Sequence, residues 1–159
     1  VHDSFAVARA LADFAKEISP DIILCGKQSI DYDDAQVSGL VAEMLGIPSI
    51  SVVIKLEVNE KNIMAEREIE GGHEVVHAQL PAVISAQKGL NTPRYPSLRG
   101  IMDAKRKLIE ERTVAAVESK TEVIALRKPP AKNAGKIVGT DASAVAELVR
   151  LLHEEAKVI

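Results

Sequence analysis

The chain has 159 residues, 47% hydrophobic side chains and a formal net charge of −3 at pH 7. This size suffices for one compact domain with a substantial core. Nucleic-acid phosphates require clustered Lys and Arg, so the slightly acidic balance argues against a nucleic-acid surface. No apolar stretch approaches the roughly 20 residues of a membrane-spanning helix, which argues against membrane insertion. Cys25 is the single cysteine, which excludes intrachain disulfides and favours a packing role.

Hydrophobic spacing and turn residues predict an α/β chain. Short continuous apolar runs are typical of strands buried on both faces of a parallel sheet, and 59–62 and 71–72 are turn signals of antiparallel hairpins. The predicted elements are helices over about 5–18, 35–45, 98–107 and 141–155, and strands over 21–25, 47–58, 81–86 and 122–126. Strand, glycine break, helix and strand is the order of a doubly wound sheet, in which ligands lie beyond the carboxyl ends of the strands.

The loop that follows the first predicted strand suits a nucleotide phosphate. Gly26 permits a sharp turn, Lys27 offers a positive charge, and the start of the next helix exposes unpaired N–H groups. The carboxylates of Asp31, Asp33 and Asp34 would repel an anion if they pointed inward, so we expect them to cap the helix or to point outward. A bridging magnesium ion is another way to accommodate them, and an ordinary strand-to-helix turn is the alternative interpretation of the loop.

Other candidate sites are weaker. Four residues of extended strand place His73 and His77 about 13 Å apart, too far to share a metal ion. The chain has no P-loop, no Gly-x-Gly-x-x-Gly after a strand and no serine in a nucleophile elbow, so we expect neither a metal site nor catalytic residues. Leu98, Ile101 and Met102 begin a helix that continues into basic residues. This helix is either an amphipathic surface helix or a docking element with an apolar anchor.

Three segments resemble, in the same order, the β subunit of electron transfer flavoprotein. They are Gly-Lys-Gln-Ser-Ile-Asp at 26–31, Glu-Arg-Glu-Ile-Glu-Gly-Gly at 66–72 continuing to Leu-Pro-Ala-Val-Ile at 80–84, and Leu-Asn-Thr-Pro-Arg-Tyr at 90–95. The resemblance covers nearly the whole chain. It implies a Rossmann-like, adenine-nucleotide-binding α/β fold: a mostly parallel sheet with helices on both faces, an antiparallel hairpin region and a C-terminal arm.

The resemblance implies a heterodimeric electron carrier and not an enzyme. A larger α subunit holds the FAD that shuttles electrons from acyl-CoA or other dehydrogenases to a quinone-reducing acceptor. The β subunit usually binds AMP. The expected location is the bacterial or archaeal cytoplasm, or the mitochondrial matrix of a eukaryote. By this resemblance the chain is the C-terminal two-thirds of a subunit, with residues 1–126 as a partial nucleotide-binding domain and 127–159 as an arm and helix packing on the partner subunit.

The resemblance also implies roles for individual residues. Leu98, with Ile101 and Met102, corresponds to the recognition loop, residues 90–107, which docks on a dehydrogenase. Glu68 falls where an acidic residue can pair with an arginine of the flavin domain. The nucleotide-binding positions are Gly26, Lys27, Gln28, Ser29, Asp31, Asp33, Asp34, Ala35, Gln36 and Val37.

Two alternatives stay open for the nucleotide. Electron-bifurcating relatives carry a second FAD in the β subunit, and the run from Asp34 to Val37 leans toward their pattern. The run from Arg67 to Gly72 leans toward the AMP-binding type, so AMP is the favoured ligand. An unrelated ATP-binding domain of similar fold is the other alternative, although no glycine-rich phosphate motif supports it.

Overall fold

The computed structural model describes residues 2–132 and 134–159. Two compact units divide the chain, Val1–Glu122 and Val123–Ile159. The helices are α1 (Ser4–Ile18), α2 (Val37–Leu45), α3 (Leu98–Ala104) and α4 (Val145–Glu154), the last preceded by a 3₁₀ turn over Ala142–Ala144. The strands are β1 (Ile22–Gly26), β2 (Ser49–Asn59), β3 (Asn62–Ile69), β4 (Gly72–Gln79) and β5 (Ala82–Ala86).

The five strands form one mixed sheet in the order β1-β5-β2-β3-β4. β5 pairs in parallel with β1 and β2, whereas β2, β3 and β4 form an antiparallel ribbon. The predicted α/β class, with parallel core strands and antiparallel hairpins, is therefore confirmed. One register row crosses the whole sheet where β1 and β5 end: Gly26, Ala86, Val53, Arg67 and Glu74.

Strand β5 forms the centre of the core. Val83 packs toward α1 and α2, while Ala82 and Ile84 belong to a second apolar cluster with residues of β2 and β3. All three side chains have no exposed surface, which confirms burial on both faces for β5. The same expectation is wrong for β1, since Leu24 is 65% exposed. β1 lies at an edge of the described sheet, so it has a strand neighbour on one side only.

Helix α1 confirms its predicted start. Asp3 is the N-cap, and its carboxylate accepts a hydrogen bond from the backbone N–H of Ala6 at 2.9 Å. The helix buries small alanine side chains, including Ala8 and Ala12. Their size lets α1 lie close against α2, which in turn packs on β5 and β2. Leu11 of the same helix is nearly half exposed.

The bounds of some predicted helices and one whole predicted strand differ from the structure. Helix α2 begins at Val37 and not at 35, because Ala35 has a left-handed φ of 52°, which a right-handed helix does not accommodate. Helix α3 ends at Ala104, and single turns follow it. The predicted strand over 122–126 is wrong, since those residues are exposed and pair with no strand in the part of the chain that the structure describes.

Candidate functional site

The candidate nucleotide loop connects β1 to α2 at the carboxyl edge of the parallel strands. β1 ends at Gly26, beside Ala86 at the end of β5. Residues 27–36 form the loop, and α2 starts at Val37. The sheet thus places the loop at the edge where α/β proteins bind their ligands.

Hydrogen bonds within the loop hold its turn. The backbone N–H of Asp33 donates to the carbonyl of Ser29 at 3.0 Å. The Gln28 amide donates to the carboxylate of Asp33, also at 3.0 Å. Asp33 has a left-handed φ of 54°, a conformation that aspartate tolerates better than most residues. These contacts give the loop a defined backbone path between the strand and the helix.

The acidic side chains of the loop have separate environments. Asp33 accepts from Gln28, and Asp34 accepts from the hydroxyl of Ser4 at the start of α1. Neither carboxylate caps α2, so capping, the first of the two expected arrangements, does not occur for this pair. Asp31 is exposed. Two of the three carboxylates therefore have neutral donors from the chain itself, which orients them without neutralising their charge.

The start of α2 has unpaired donors. The N-cap residue, Gln36, makes no side-chain cap, and the first regular helical bond runs from the N–H of Leu40 to the carbonyl of Gln36 at 3.0 Å. The N–H groups of Val37, Ser38 and Gly39 consequently have no acceptor within the helix. Together with the helix dipole, such groups attract an anion. Lys27 adds an exposed ammonium group at the beginning of the same loop.

The candidate docking residues lie together on α3. Ser97 caps this helix, since its hydroxyl accepts from the N–H of Gly100 at 3.1 Å. Leu98, Ile101 and Met102 are 85%, 43% and 58% exposed, and α3 buries no residue. These three residues therefore form an exposed apolar surface on a capped helix.

Glu68 lies near the end of β3, which follows α2 and precedes α3 along the chain. One of its carboxylate oxygens accepts a hydrogen bond from the side-chain amide of Gln87 at 3.0 Å. Sequence reasoning missed Gln87, because a polar residue directly after a buried strand is indistinguishable from an ordinary loop residue. It missed Ser4 as well, whose hydroxyl serves Asp34 across 30 residues of sequence.

Comparison with known proteins identifies the family. The electron transfer flavoprotein domain matches residues 1–117. The chain belongs to the electron transfer flavoprotein β subunit family. A β subunit of Bacillus subtilis is 42% identical over 99% of this chain and 64% of its own length. The β subunit of Bradyrhizobium diazoefficiens is 38% identical over 99% of this chain and 63% of its own length. The mitochondrial β subunit of Oryza sativa subsp. japonica is 37% identical over 97% of this chain and 61% of its own length.

The family match includes the main candidate positions. Residues 1–117 contain the nucleotide loop, Glu68, Gln87 and α3, whereas α4 lies beyond the matched domain. The fold is the Rossmann-like α/β type that the family resemblance implied. The chain spans about three fifths of the length of these curated relatives.

His73 and Cys25, the other side chains with potential reactivity, contact ordinary neighbours in this electron transfer flavoprotein domain. The imidazole Nδ1 of His73 lies 3.0 Å from a carboxylate oxygen of Glu66. No group of three or more metal-ligating side chains occurs among the described residues. Cys25 packs against the cluster of α1 and α2, and burial raises the pKa of its thiol. Within the described ranges, none of the helices has the length and apolar composition that crossing a membrane requires.

Proposed function

We propose that this chain is the nucleotide-binding and docking part of a β subunit in a heterodimeric electron transfer flavoprotein. It binds AMP structurally, and a larger α subunit carries the FAD that moves electrons from acyl-CoA or other dehydrogenases to a quinone-reducing acceptor. The chain itself is a carrier component without catalytic residues. Its compartment is the bacterial or archaeal cytoplasm, or the mitochondrial matrix if the organism is eukaryotic.

The observation that carries the nucleotide proposal is the uncapped start of α2, at the end of the loop that begins with Lys27. Three helical N–H groups and one ammonium group favour an anion there, while the hydrogen bonds to Asp33 and Asp34 fix two of the nearby carboxylates. Backbone amides of the loop and helix start, from Gly26 to Val37, hold the phosphate of AMP. Family membership supports the interpretation of this loop as a nucleotide site over that of an ordinary strand-to-helix connection.

The exposed apolar residues of α3 support docking of a dehydrogenase. Leu98 is the anchor, and Ile101 and Met102 extend the apolar contact. Exposed apolar side chains of this size become buried when a partner supplies a pocket, and a central anchor carries a large share of such a binding energy. Exposed basic residues follow α3 and steer the encounter.

The contacts with the α subunit come from two places. Glu68 pairs with an arginine of the flavin-carrying domain, which sets the orientation of that domain. Residues 127–159 form the arm and helix that pack on the α subunit. Helix α4 carries Val145, Leu148 and Val149 at 44–54% exposure and buries no residue in this chain, which leaves an apolar helical face for a partner.

Nucleotide analysis of the purified heterodimer tests the ligand. Denaturation should release one FAD and one AMP per heterodimer. Release of two FAD molecules and no AMP would instead identify the electron-bifurcating type. Lys27→Met should lower the amount of AMP retained through purification, because the variant removes the ammonium group beside the phosphate. Lys61→Met, in the turn between β2 and β3, is the matched control and should retain AMP fully.

Truncation of the anchor tests docking. Leu98→Ala should weaken electron transfer from a dehydrogenase by roughly fivefold or more, since loss of a central apolar anchor commonly costs more than about 1 kcal/mol. The bound FAD should stay at its full amount. Leu108→Ala is the control, because Leu108 is 97% exposed and lies after α3. Equal transfer rates for Leu98→Ala and the unmodified protein would contradict the docking role.

A further inference from the structure

The backbone of Gln87 is hydrogen-bonded to the sheet, and its side chain is hydrogen-bonded to Glu68. Its N–H donates to the carbonyl of Val53 at 2.9 Å, so the parallel pairing of β5 with β2 continues one residue past Ala86. Its side-chain amide donates to Glu68 at 3.0 Å. Gln87 is half-buried, whereas Glu68 is exposed. Both backbones are fixed by the sheet, and the half-buried amide of Gln87 orients the exposed carboxylate of Glu68.

This hydrogen bond joins two strands that are not neighbours. β2 lies between β5 and β3 in the sheet, so the side chains of Gln87 and Glu68 meet across it. The registers of β2 with both neighbours shift at this level, between Ile50 and Val53 on one side and between Val53 and Lys55 on the other. Bulges of this kind bend a strand and redirect side chains, and they are common next to functional sites.

The other acidic side chains of the ribbon have basic neighbours. Glu57 lies 3.0 Å from Lys55, Glu74 lies 3.3 Å from Arg67, and Glu66 lies 3.0 Å from His73. His73 is also the residue directly opposite Glu68 in the register of β3 and β4, yet its Nδ1 contacts Glu66. Glu68 has the neutral amide of Gln87 instead.

A neutral donor has a different effect from a basic one. An amide fixes one carboxylate oxygen and leaves the negative charge uncompensated, whereas an ammonium or guanidinium group would cancel it. The second oxygen of Glu68 and the remaining lone pairs stay available, and a carboxylate in this state accepts an arginine well. Because Gln87 already orients the Glu68 carboxylate, the Glu68 side chain loses less conformational entropy when a charged partner binds to it.

We propose that Gln87 is a positioning residue that orients the Glu68 carboxylate for a guanidinium group of the flavin-carrying partner subunit. The proposal rests on the proposed function, which supplies the partner, and it adds the residue of this chain that prepares the contact. Gln87 touches neither flavin nor substrate. It acts through Glu68 and leaves the charge of that residue in place.

Single-turnover electron transfer in the full heterodimer tests this role, measured from a dehydrogenase to the bound FAD at several salt concentrations. Glu68→Gln removes the charge and should change both the rate and its dependence on salt. Gln87→Leu keeps the volume but removes the donor, and it should shift the rate in the same direction by about two- to tenfold, the usual effect of one lost hydrogen bond. Gln79→Leu, an exposed glutamine at the end of β4, is the matched control and should change neither quantity.

The double variant separates positioning from general structural damage. Gln87→Leu in the Glu68→Gln background should add no further effect, because the carboxylate that it orients is absent. Gln87→Lys should reproduce the changed salt dependence of Glu68→Gln, since the ammonium group cancels the charge of the carboxylate. An effect of Glu68→Gln combined with a silent or additive Gln87→Leu overturns the role of Gln87 alone. A silent Glu68→Gln overturns the proposed contact with the partner, and the role of Gln87 with it.

Discussion

The sheet with its two helices and the chain that follows β5 are held in place by different forces. In the first region, apolar side chains on both faces of β5 have no exposed surface, including Val83 and Ile84. In the second region, between residues 91 and 122, every side chain is exposed except those of Val117 and Ser119, which are half-buried. Burial of apolar surface stabilises the first region. The second region buries almost no apolar surface.

Polar contacts with α1 take the place of burial in the second region. Residues 110–121, which we call the strap, run beside the exposed side of α1, with Val114–Val117 next to Val7 and Leu11. At the start of α1, Asp3 binds the strap at Lys120 and Thr121. Near the end of α1, Arg112 binds Glu17. A segment attached mainly at its two ends can detach while the sheet stays folded.

The largest expected effect comes from the core. Ile84→Ala should lower the free energy of unfolding by about 2–5 kcal/mol, because the variant loses a fully buried side chain and leaves a cavity. Urea unfolding monitored by circular dichroism measures the loss as a lower midpoint. Leu108→Ala is the control, with an expected change within about 0.5 kcal/mol, since Leu108 is exposed. Similar losses for both variants would contradict the contrast between the two regions.

The core was predictable because its signal is local. The apolar run Ala82–Ala86 is short enough to be read as one buried strand, and alanines at helical spacing mark the buried side of α1. The location of the nucleotide loop follows from the same pattern, since Gly26 ends an apolar run and a helical pattern resumes soon afterwards. The exposure of Leu24 did not follow, because the order of strands in a sheet depends on pairing between distant segments.

The next effect concerns the attachment at Asp3. Asp3→Asn retains one carbonyl oxygen that can cap α1 but replaces the oxygen that accepts from Lys120 and Thr121 with an NH₂ group. Backbone amides of residues 115–121 should therefore exchange with deuterium several-fold faster, while the strands keep their protection. Asp141→Asn, which alters the capping aspartate of the 3₁₀ turn, is the matched control. A strap with unchanged exchange in Asp3→Asn would contradict this attachment.

The same carboxylate predicts a dependence on pH. The hydrogen bond from the N–H group of Ala6 is the largest cause that lowers the pKa of Asp3 below its usual 3.8. Burial opposes this effect, and the hydrogen bonds from Lys120 and Thr121 lower the pKa further. A group whose pKa is lower in the attached state stabilises that state fully above its usual pKa and loses this contribution as the pH falls through the lowered value. The attachment of the strap at Asp3 should consequently weaken only as the pH falls below 3.8.

The amide proton of Thr121 reports this titration directly by NMR. Its chemical shift should change with a midpoint below 3.8 in the unmodified protein, and Asp3→Asn should abolish that transition. A midpoint at or above the usual value would show that the carboxylate gains nothing from these donors. The comparison needs the strands to stay folded across the same range, which far-ultraviolet circular dichroism can verify on the same samples.

The candidate contacts of the site were predictable only in part. The residue types at Lys27 and Leu98 carry their chemistry in the sequence, since a charge after a glycine break and an apolar residue on a capped helix are local features. The partners of Glu68 and Asp34 are not local. Gln87 and Ser4 reach them from 19 and 30 residues away, and a polar side chain gives no periodic pattern by which such a contact can be recognised.

The smallest effect is expected at the other end of the strap. The Arg112 guanidinium lies 2.7 Å from Glu17, 2.8 Å from Glu110 and 4.9 Å from the centre of the Phe14 ring. Arg112→Met keeps the aliphatic stem but removes the charge. Because the arginine is 47% exposed, water and salt screen its ion pairs, and the loss should be about 1 kcal/mol or less.

The dependence on salt distinguishes the attachment at Arg112 from the attachment at Asp3. Amide exchange in residues 110–114 should be faster in Arg112→Met than in the unmodified protein at low ionic strength, and the difference should shrink as salt is added, because ion pairs are screened. Arg99→Met is the matched control, since Arg99 is 92% exposed and lies 3.7 Å from Asp103 within α3. If the difference persisted undiminished at high salt, the packing of Arg112 on Phe14 and not its charge would fix this end of the strap.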